Sequence, residues 1–166
     1  MLGKEMLATM FDYNAAMNAR LLDFAANVSD EQLDAPTDFS HGTLRKTLAH
    51  YLAVEWLWRH VFAHGTAPTA PPAIGPASTV AELQAFAAEE AQRIRASVDR
   101  LTDDDLAATV TVERRGVQSQ MVRWHMLMQV LFHSAQHRSE VAAMLTNYGQ
   151  SPGDIDFIFF VRPVAG

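Results

Sequence analysis

The chain has 166 residues, of which 49% are hydrophobic and 19% are charged, and its formal net charge is −6. This length suffices to bury one continuous hydrophobic core, so we expect a single domain over residues 1–166. The basic residues are scattered, whereas nucleic-acid binding needs clustered lysine and arginine. No apolar run reaches the roughly 18 residues of a membrane span, and the N-terminus does not resemble a signal peptide. We therefore expect a cytoplasmic protein that binds neither nucleic acid nor membrane.

Cysteine is absent from the sequence. This excludes disulfides and thiolate metal ligands, so any metal must be held by histidine, carboxylate or backbone oxygen. Any thiol chemistry would have to come from a bound small molecule.

Apolar residues recur at helical spacing in four long segments. A capping box at Thr79–Glu82 opens the third segment, and Gly65 and Gly149 close the second and the fourth. The predicted long helices lie at about residues 4–27, 43–64, 79–100 and 121–148.

Shorter elements connect these helices. Short helical turns are predicted after Ser29 and after Thr102. The proline-rich segment 65–78 is predicted to be a long crossover on the surface. Residues 108–120 alternate apolar and polar around Arg115-Gly116, which predicts a hairpin between the third and fourth long helices. The expected fold is an all-α four-helix bundle with a small β-hairpin and an apolar tail docked on the bundle.

His133 and His137 are the strongest candidates for a functional site. Their spacing of four residues places them on one helix face about 5–6 Å apart at Cβ, on the stripe that faces the core. His50 faces inward on the second long helix and is the natural third ligand. One divalent metal would satisfy these imidazoles. The alternative is that they are buried histidines hydrogen-bonded to carboxylates.

Other polar residues receive simpler interpretations. His60 and His64 lie about 15 and 21 Å along the helix from His50, too far to share its metal. His41 lies in a loop, and His125 points off the ligand stripe. Glu55, Glu140 and Arg138 are interpreted as solvated or paired surface groups.

Three segments carry a family resemblance: FDYNAAMNARLLDF, GTLRKTLAHYLAVEWLW and HSAQHRSEVAAMLTNYGQSPGDIDFIFF. Together they resemble the DinB/YfiT-like superfamily over nearly the whole chain. The resemblance implies a variant four-helix-bundle topology, frequent homodimers, and a divalent metal on His50, His133 and His137. The chain departs from the family pattern at Phe132 and Gln136, and Ser139-Glu140 replaces a frequent Gly-Gln.

These features predict a metal-dependent enzyme acting on a small molecule. Three imidazoles leave coordination positions open, as in catalytic sites, and favour zinc or nickel over calcium or magnesium. Because relatives include thiol-dependent transferases and isomerases, we expect S-transfer with a low-molecular-weight thiol. The alternatives are a hydrolase assisted by Glu140 and a non-catalytic metal- or small-ligand-binding stress protein. Tyr13, Arg20 and the loop around His41 are expected near the pocket mouth.

Overall fold

The computed structural model of the chain describes residues 3–161, and four long helices dominate it. Local sequence signals fix several of their boundaries. In chain order the elements are α1 (Lys4–Ala25), α2 (Asp30–Asp34), α3 (Leu44–His64), α4 (Val80–Asp99), α5 (Asp103–Ala107), β1 (Thr109–Arg114), β2 (Val117–Val122), α6 (Arg123–Asn147) and α7 (Phe157–Phe160).

Side-chain caps begin the helices where the sequence predicts them. Capping boxes start α2 at Ser29, α4 at Thr79 and α5 at Thr102, and each satisfies backbone amides that the first turn leaves unpaired. Gly65 ends α3 with φ of 73°, a left-handed conformation that glycine adopts without steric cost. The predicted helical segments are therefore confirmed, with their limits displaced by one or two residues.

The predicted hairpin is also confirmed, and it shortens α6. β1 and β2 pair antiparallel around Arg115 and Gly116, whose φ angles of 53° and 75° suit a tight two-residue turn. Val122 pairs with Thr109 in this ladder. Because that pairing holds the chain extended, α6 begins at Arg123, two residues after the predicted start.

The long helices follow one another around the bundle in the order α1, α4, α3, α6. This order follows from their packing, since α1 packs against α4 and α6, and α3 packs against the same two helices. Helices α1 and α3 are consecutive long helices in the chain and lie diagonally across the bundle. The arrangement brings α3 and α6, which carry the candidate histidines, into direct contact.

Two of the three apolar clusters among the described residues lie at different heights of the bundle. One contains Leu21 and Leu22 of α1 with Val141 and Leu145 of α6, and the other contains Leu7 of α1 with neighbouring residues of α6. Their hydrophobic burial is the main stabilising contribution. The stretch of α1 and α6 between the clusters carries polar side chains instead.

These polar side chains form a buried network across three helices. Glu55 Oε1 on α3 accepts hydrogen bonds from Asn14 Nδ2 and Asn18 Nδ2, each at 2.9 Å, and from Ser134 Oγ at 2.6 Å. Arg138 on α6 donates to the Oδ1 atoms of both asparagines. Glu55 is 8% exposed and Arg138 is 1% exposed, so the interpretation of these two residues as surface groups is wrong. A buried charge needs such partners, and helix periodicity alone does not reveal them.

The apolar tail docks on α1 as predicted. Tyr13 donates its hydroxyl to the carbonyl of Ile155 at 2.5 Å, and the Tyr13 ring makes edge contacts with Phe157 and Phe160. Arg20 Nη1 donates to the Asp154 carbonyl at 2.9 Å. The aromatic residues of α7 nevertheless keep a large exposed area.

Within residues 3–161, no helix is both long enough and apolar enough to cross a bilayer. The cytoplasmic location stays a prediction.

The Arg138→Met variant tests the buried network, because methionine keeps a long side chain and removes the cation. The Oδ1 atoms of Asn14 and Asn18 then stay buried without their donor, and each unsatisfied buried polar group costs about 1–3 kcal/mol of unfolding free energy. Urea unfolding measures the loss. The matched control is Arg95→Met, which removes exposed ion pairs with Asp12 and Asp99 and should change stability little. Equally small effects in both variants would contradict the role of Arg138.

Candidate metal centre

The packing of α3 against α6 brings the three predicted histidines together. The ring centroids of His50 and His133 are 5.1 Å apart, those of His50 and His137 are 5.0 Å apart, and those of His133 and His137 are 4.5 Å apart. His137 is buried, whereas His50 and His133 are partly exposed. The four-residue spacing on α6 and the inward stripe of α3 thus converge on one place.

The separations suit imidazoles that share one ion. His50 Nε2 and His133 Nε2 lie 3.3 Å apart. With metal–nitrogen bonds of about 2.0–2.1 Å, two nitrogens in a tetrahedral site are roughly 3.4 Å apart and their ring centroids roughly 5 Å apart. His133 Nδ1 is buried without a hydrogen-bond partner. A polar atom left without a partner shows that no protein group among the described residues fixes the His133 ring, and the nitrogen and ring separations fit a nitrogen-preferring metal.

Glu140 holds His137 in orientation. The carboxylate oxygen Oε2 lies 2.6 Å from His137 Nδ1 and accepts a hydrogen bond from Ser40 Oγ at 2.5 Å. With Nδ1–H donating to Glu140, His137 Nε2 keeps its lone pair for a ligand. Burial raises the pKa of Glu140, but the hydrogen bonds from Ser40 and His137 outweigh it and leave the pKa below its usual value. Glu140 is thus an ionised partner of His137.

His41 joins the cluster from the loop before α3. Its ring stacks on His50 with centroids 3.6 Å apart, and its centroid is 5.1 Å from that of His137. Donor atoms of His41, His50 and His137 all lie within 4.8 Å of one another. Sequence reasoning placed His41 near the pocket mouth and did not include it among the ligands. A loop residue has no helical register, so its spacing from His50 gave no signal.

The clustering keeps the imidazoles in their neutral, ligand-competent form. Burial, and then the neighbouring His41 and His137, lower the pKa of His50 to about 4. Burial, and then His137, lower the pKa of His133 to about 4. The pKa of His41 is also lowered, first by burial and then by His137. Near neutral pH these rings carry lone pairs that are free to bind a metal.

A cavity of about 310 Å³ opens beside the cluster. His41 and His50 form one side of it, and residues of the crossover, including Ile74 and Pro76, form another. Lys46 contributes a cation to the lining. It lies one helical turn before His50, so both side chains lie on the same face of α3. The cavity therefore combines an apolar wall, one positive charge and two imidazoles.

The remaining candidates lie outside this site. Tyr13 and Arg20 hold the C-terminal tail and do not line the cavity beside His50. His60 and His64 pack against each other with ring centroids 4.4 Å apart. His125 is exposed and packs on Trp124. The described residues thus place four of the seven histidines in one cluster, namely His41, His50, His133 and His137.

Comparison with known proteins places the chain in a family. The model of the DinB family matches residues 1–164. The chain belongs to the DinB family. A DinB-like protein from Bacillus subtilis (YjoA) has a similar structure, with a TM-score of 0.64 over 87% of this chain and 92% of that chain. The two sequences are 13% identical, so this likeness concerns the fold of the DinB-family chain. The search of curated proteins found no match to this sequence.

The histidine cluster predicts a loss of stability in mild acid. The folded-state pKa values of His50 and His133 lie near 4, below the ordinary value of 6.5, so the folded protein binds fewer protons than the unfolded chain in this range. Their contribution is complete above pH 6.5 and is lost progressively as the pH falls towards 4. Urea unfolding of chelator-treated protein across this range measures the decline.

The variant His133→Gln should show a shallower decline, because one of the imidazoles with a lowered pKa is gone. The matched control His125→Gln, at an exposed position of the same helix, should follow the wild-type curve. A wild-type free energy of unfolding that stays flat between pH 6.5 and 4 would contradict the assigned protonation states.

Proposed function

We propose that this DinB-family chain is a single-domain, metal-dependent enzyme that transfers or isomerises groups through a low-molecular-weight thiol. His50, His133 and His137 are the proposed ligands of one divalent metal. The observation that carries the proposal is the convergence of these three imidazoles beside a cavity of about 310 Å³.

The proposed metal is zinc or nickel. Imidazole nitrogen suits both, whereas calcium and magnesium prefer oxygen ligands. Glu140 supports this assignment, since a carboxylate on the far nitrogen of a ligating histidine fixes the ring and raises its basicity.

The residues around the cavity have separate proposed roles. When bound, the metal would lower the pKa of a thiol placed beside it, so that a nucleophilic thiolate is available near neutral pH. Lys46 would attract an anionic group of the cosubstrate, and the apolar wall at Ile74 and Pro76 would accommodate its uncharged part. The chain supplies no thiol of its own, because it has no cysteine.

Hydrolysis ranks second because of the contacts of Glu140. A general base must reach the water that it activates. Glu140 Oε2 instead contacts His137 Nδ1 and Ser40 Oγ, which favours an orienting role. A non-catalytic metal- or small-ligand-binding protein is the third candidate. Metal content measured together with turnover distinguishes thiol transfer, hydrolysis and binding without catalysis.

The first test is metal content with turnover. Wild-type protein loaded with zinc or nickel should bind about one equivalent per chain and consume thiol in the presence of an electrophile. His137→Ala should lose most of the metal and, for this reason, at least about a hundredfold in activity, while its circular dichroism stays helical. Elemental analysis and a thiol-consumption assay measure these effects.

His60→Ala and His64→Ala are the matched controls and should keep both metal and activity. Metal uptake with amide or ester cleavage and no thiol consumption would favour the hydrolase. Metal uptake without turnover of either kind would favour the binding protein, and an absence of metal uptake would contradict the proposal.

We also propose a homodimer formed through an apolar groove between α1 and α6. The groove has a volume of about 430 Å³, and Met6, Phe132 and Phe157, which line it, are 54%, 68% and 41% exposed. Contiguous apolar surface of this kind marks protein–protein contacts. A second copy is the occupant that the DinB-family resemblance implies.

Replacing Phe132 with aspartate should convert the dimer to a monomer, because a charge would be desolvated at the centre of the interface. Sedimentation velocity measures the change. Val117→Asp, at a 67% exposed apolar position on the hairpin outside the groove, should leave the dimer intact. A wild-type protein that sediments as a monomer would overturn the dimer.

A further inference from the structure

We infer that His41 is a fourth, displaceable protein ligand of the metal, which closes the site until a small ligand replaces it. The inference rests on the proposed metal centre and concerns its regulation. Donor atoms of His41 converge with those of His50 and His137 within 4.8 Å, and the ring lies on the side of His50 that borders the cavity. His41 and His50 both line the cavity, so a ligand that enters it would meet His41 directly beside the proposed ligand His50.

The ring positions define the movement that ligation requires. The 5.1 Å between the centroids of His41 and His137 already suits two imidazoles on one ion. The 3.6 Å stack on His50 is tighter than the roughly 5 Å expected for two ligands of a tetrahedral ion. His41 must tilt away from His50 by the order of an ångström to bind, so it is the member of the cluster that moves.

The backbone around His41 suits such a movement. Ser40 and Gly42, on either side, have φ angles of 56° and 82°, and the Gly42 amide hydrogen-bonds back to the Phe39 carbonyl at 3.3 Å. The histidine thus sits at the tip of a tight turn and is exposed. The three other imidazoles lie on long packed helices and have no comparable freedom.

A hydrogen-bond chain ties this turn to the ligand helix. Thr47 Oγ1 donates to Ser40 Oγ at 3.1 Å, and Ser40 Oγ donates to the Glu140 oxygen that also contacts His137. One carboxylate therefore orients a helix-borne ligand and holds the turn that carries His41. Breaking the Ser40 contact should weaken the hold on His41 while leaving His137 with its carboxylate partner.

Ring nitrogens of histidine respond directly to zinc, so long-range ¹H–¹⁵N spectra of the zinc-loaded protein count the ligands. We expect His41, His50, His133 and His137 to show zinc-bound nitrogens and the exposed His125 to remain unchanged. Adding 2-mercaptoethanol should return only the His41 signals to their metal-free positions. If the His41 signals do not change with zinc while those of the other three histidines do, the inference about His41 is wrong and the proposed metal centre is retained. No response from any histidine would overturn the metal centre itself.

Affinity provides a second readout that does not depend on activity. His41→Ala should bind zinc at least about tenfold more weakly in a chelator competition, as expected for loss of a group that supports the site. Ser40→Ala should fall between this variant and wild type, and His64→Ala should match wild type. Because His41 and Ser40 lie in an exposed turn, both variants should keep the wild-type helical spectrum. An unchanged affinity in His41→Ala would contradict the inference.

Discussion

Glu55 and Arg138 place two opposite charges inside the bundle, and the amides of Asn14 and Asn18 join them. Burying such charges is costly unless their hydrogen bonds are satisfied, so these contacts admit few relative positions of α1, α3 and α6. Helices packed only through apolar contacts would lose less free energy of folding if they shifted past each other by one turn. The network lies between the two apolar clusters and defines the register of the helices that carry the site.

The histidine cluster inherits its geometry from that network. Ser134 and Arg138 immediately follow His133 and His137 on α6, and both belong to the network. The same contacts that bury Arg138 therefore hold the two imidazoles towards α3. A ligand site needs such support. Side chains that contact the ligand lose much of their function when they are displaced by even a small distance.

Glu140 connects the helix-borne and the loop-borne parts of the histidine cluster. Its carboxylate contacts both His137 and Ser40. The contact to His137 stays within one turn of α6. The contact to Ser40 spans 100 residues of sequence and ties the turn of His41 to the ligand helix. One carboxylate therefore contacts both the helix-borne and the loop-borne part of the histidine cluster.

Sequence alone determined the helices, the hairpin and the pairing of His133 with His137, because these depend on contacts within about four residues. It also predicted that His50 faces inward. The burial of Glu55 and Arg138 and the approach of His41 were decided only by the tertiary structure. A loop residue and a network spread over three helices have no local period, and their partners lie tens of residues away. Such partners meet only when the bundle has packed.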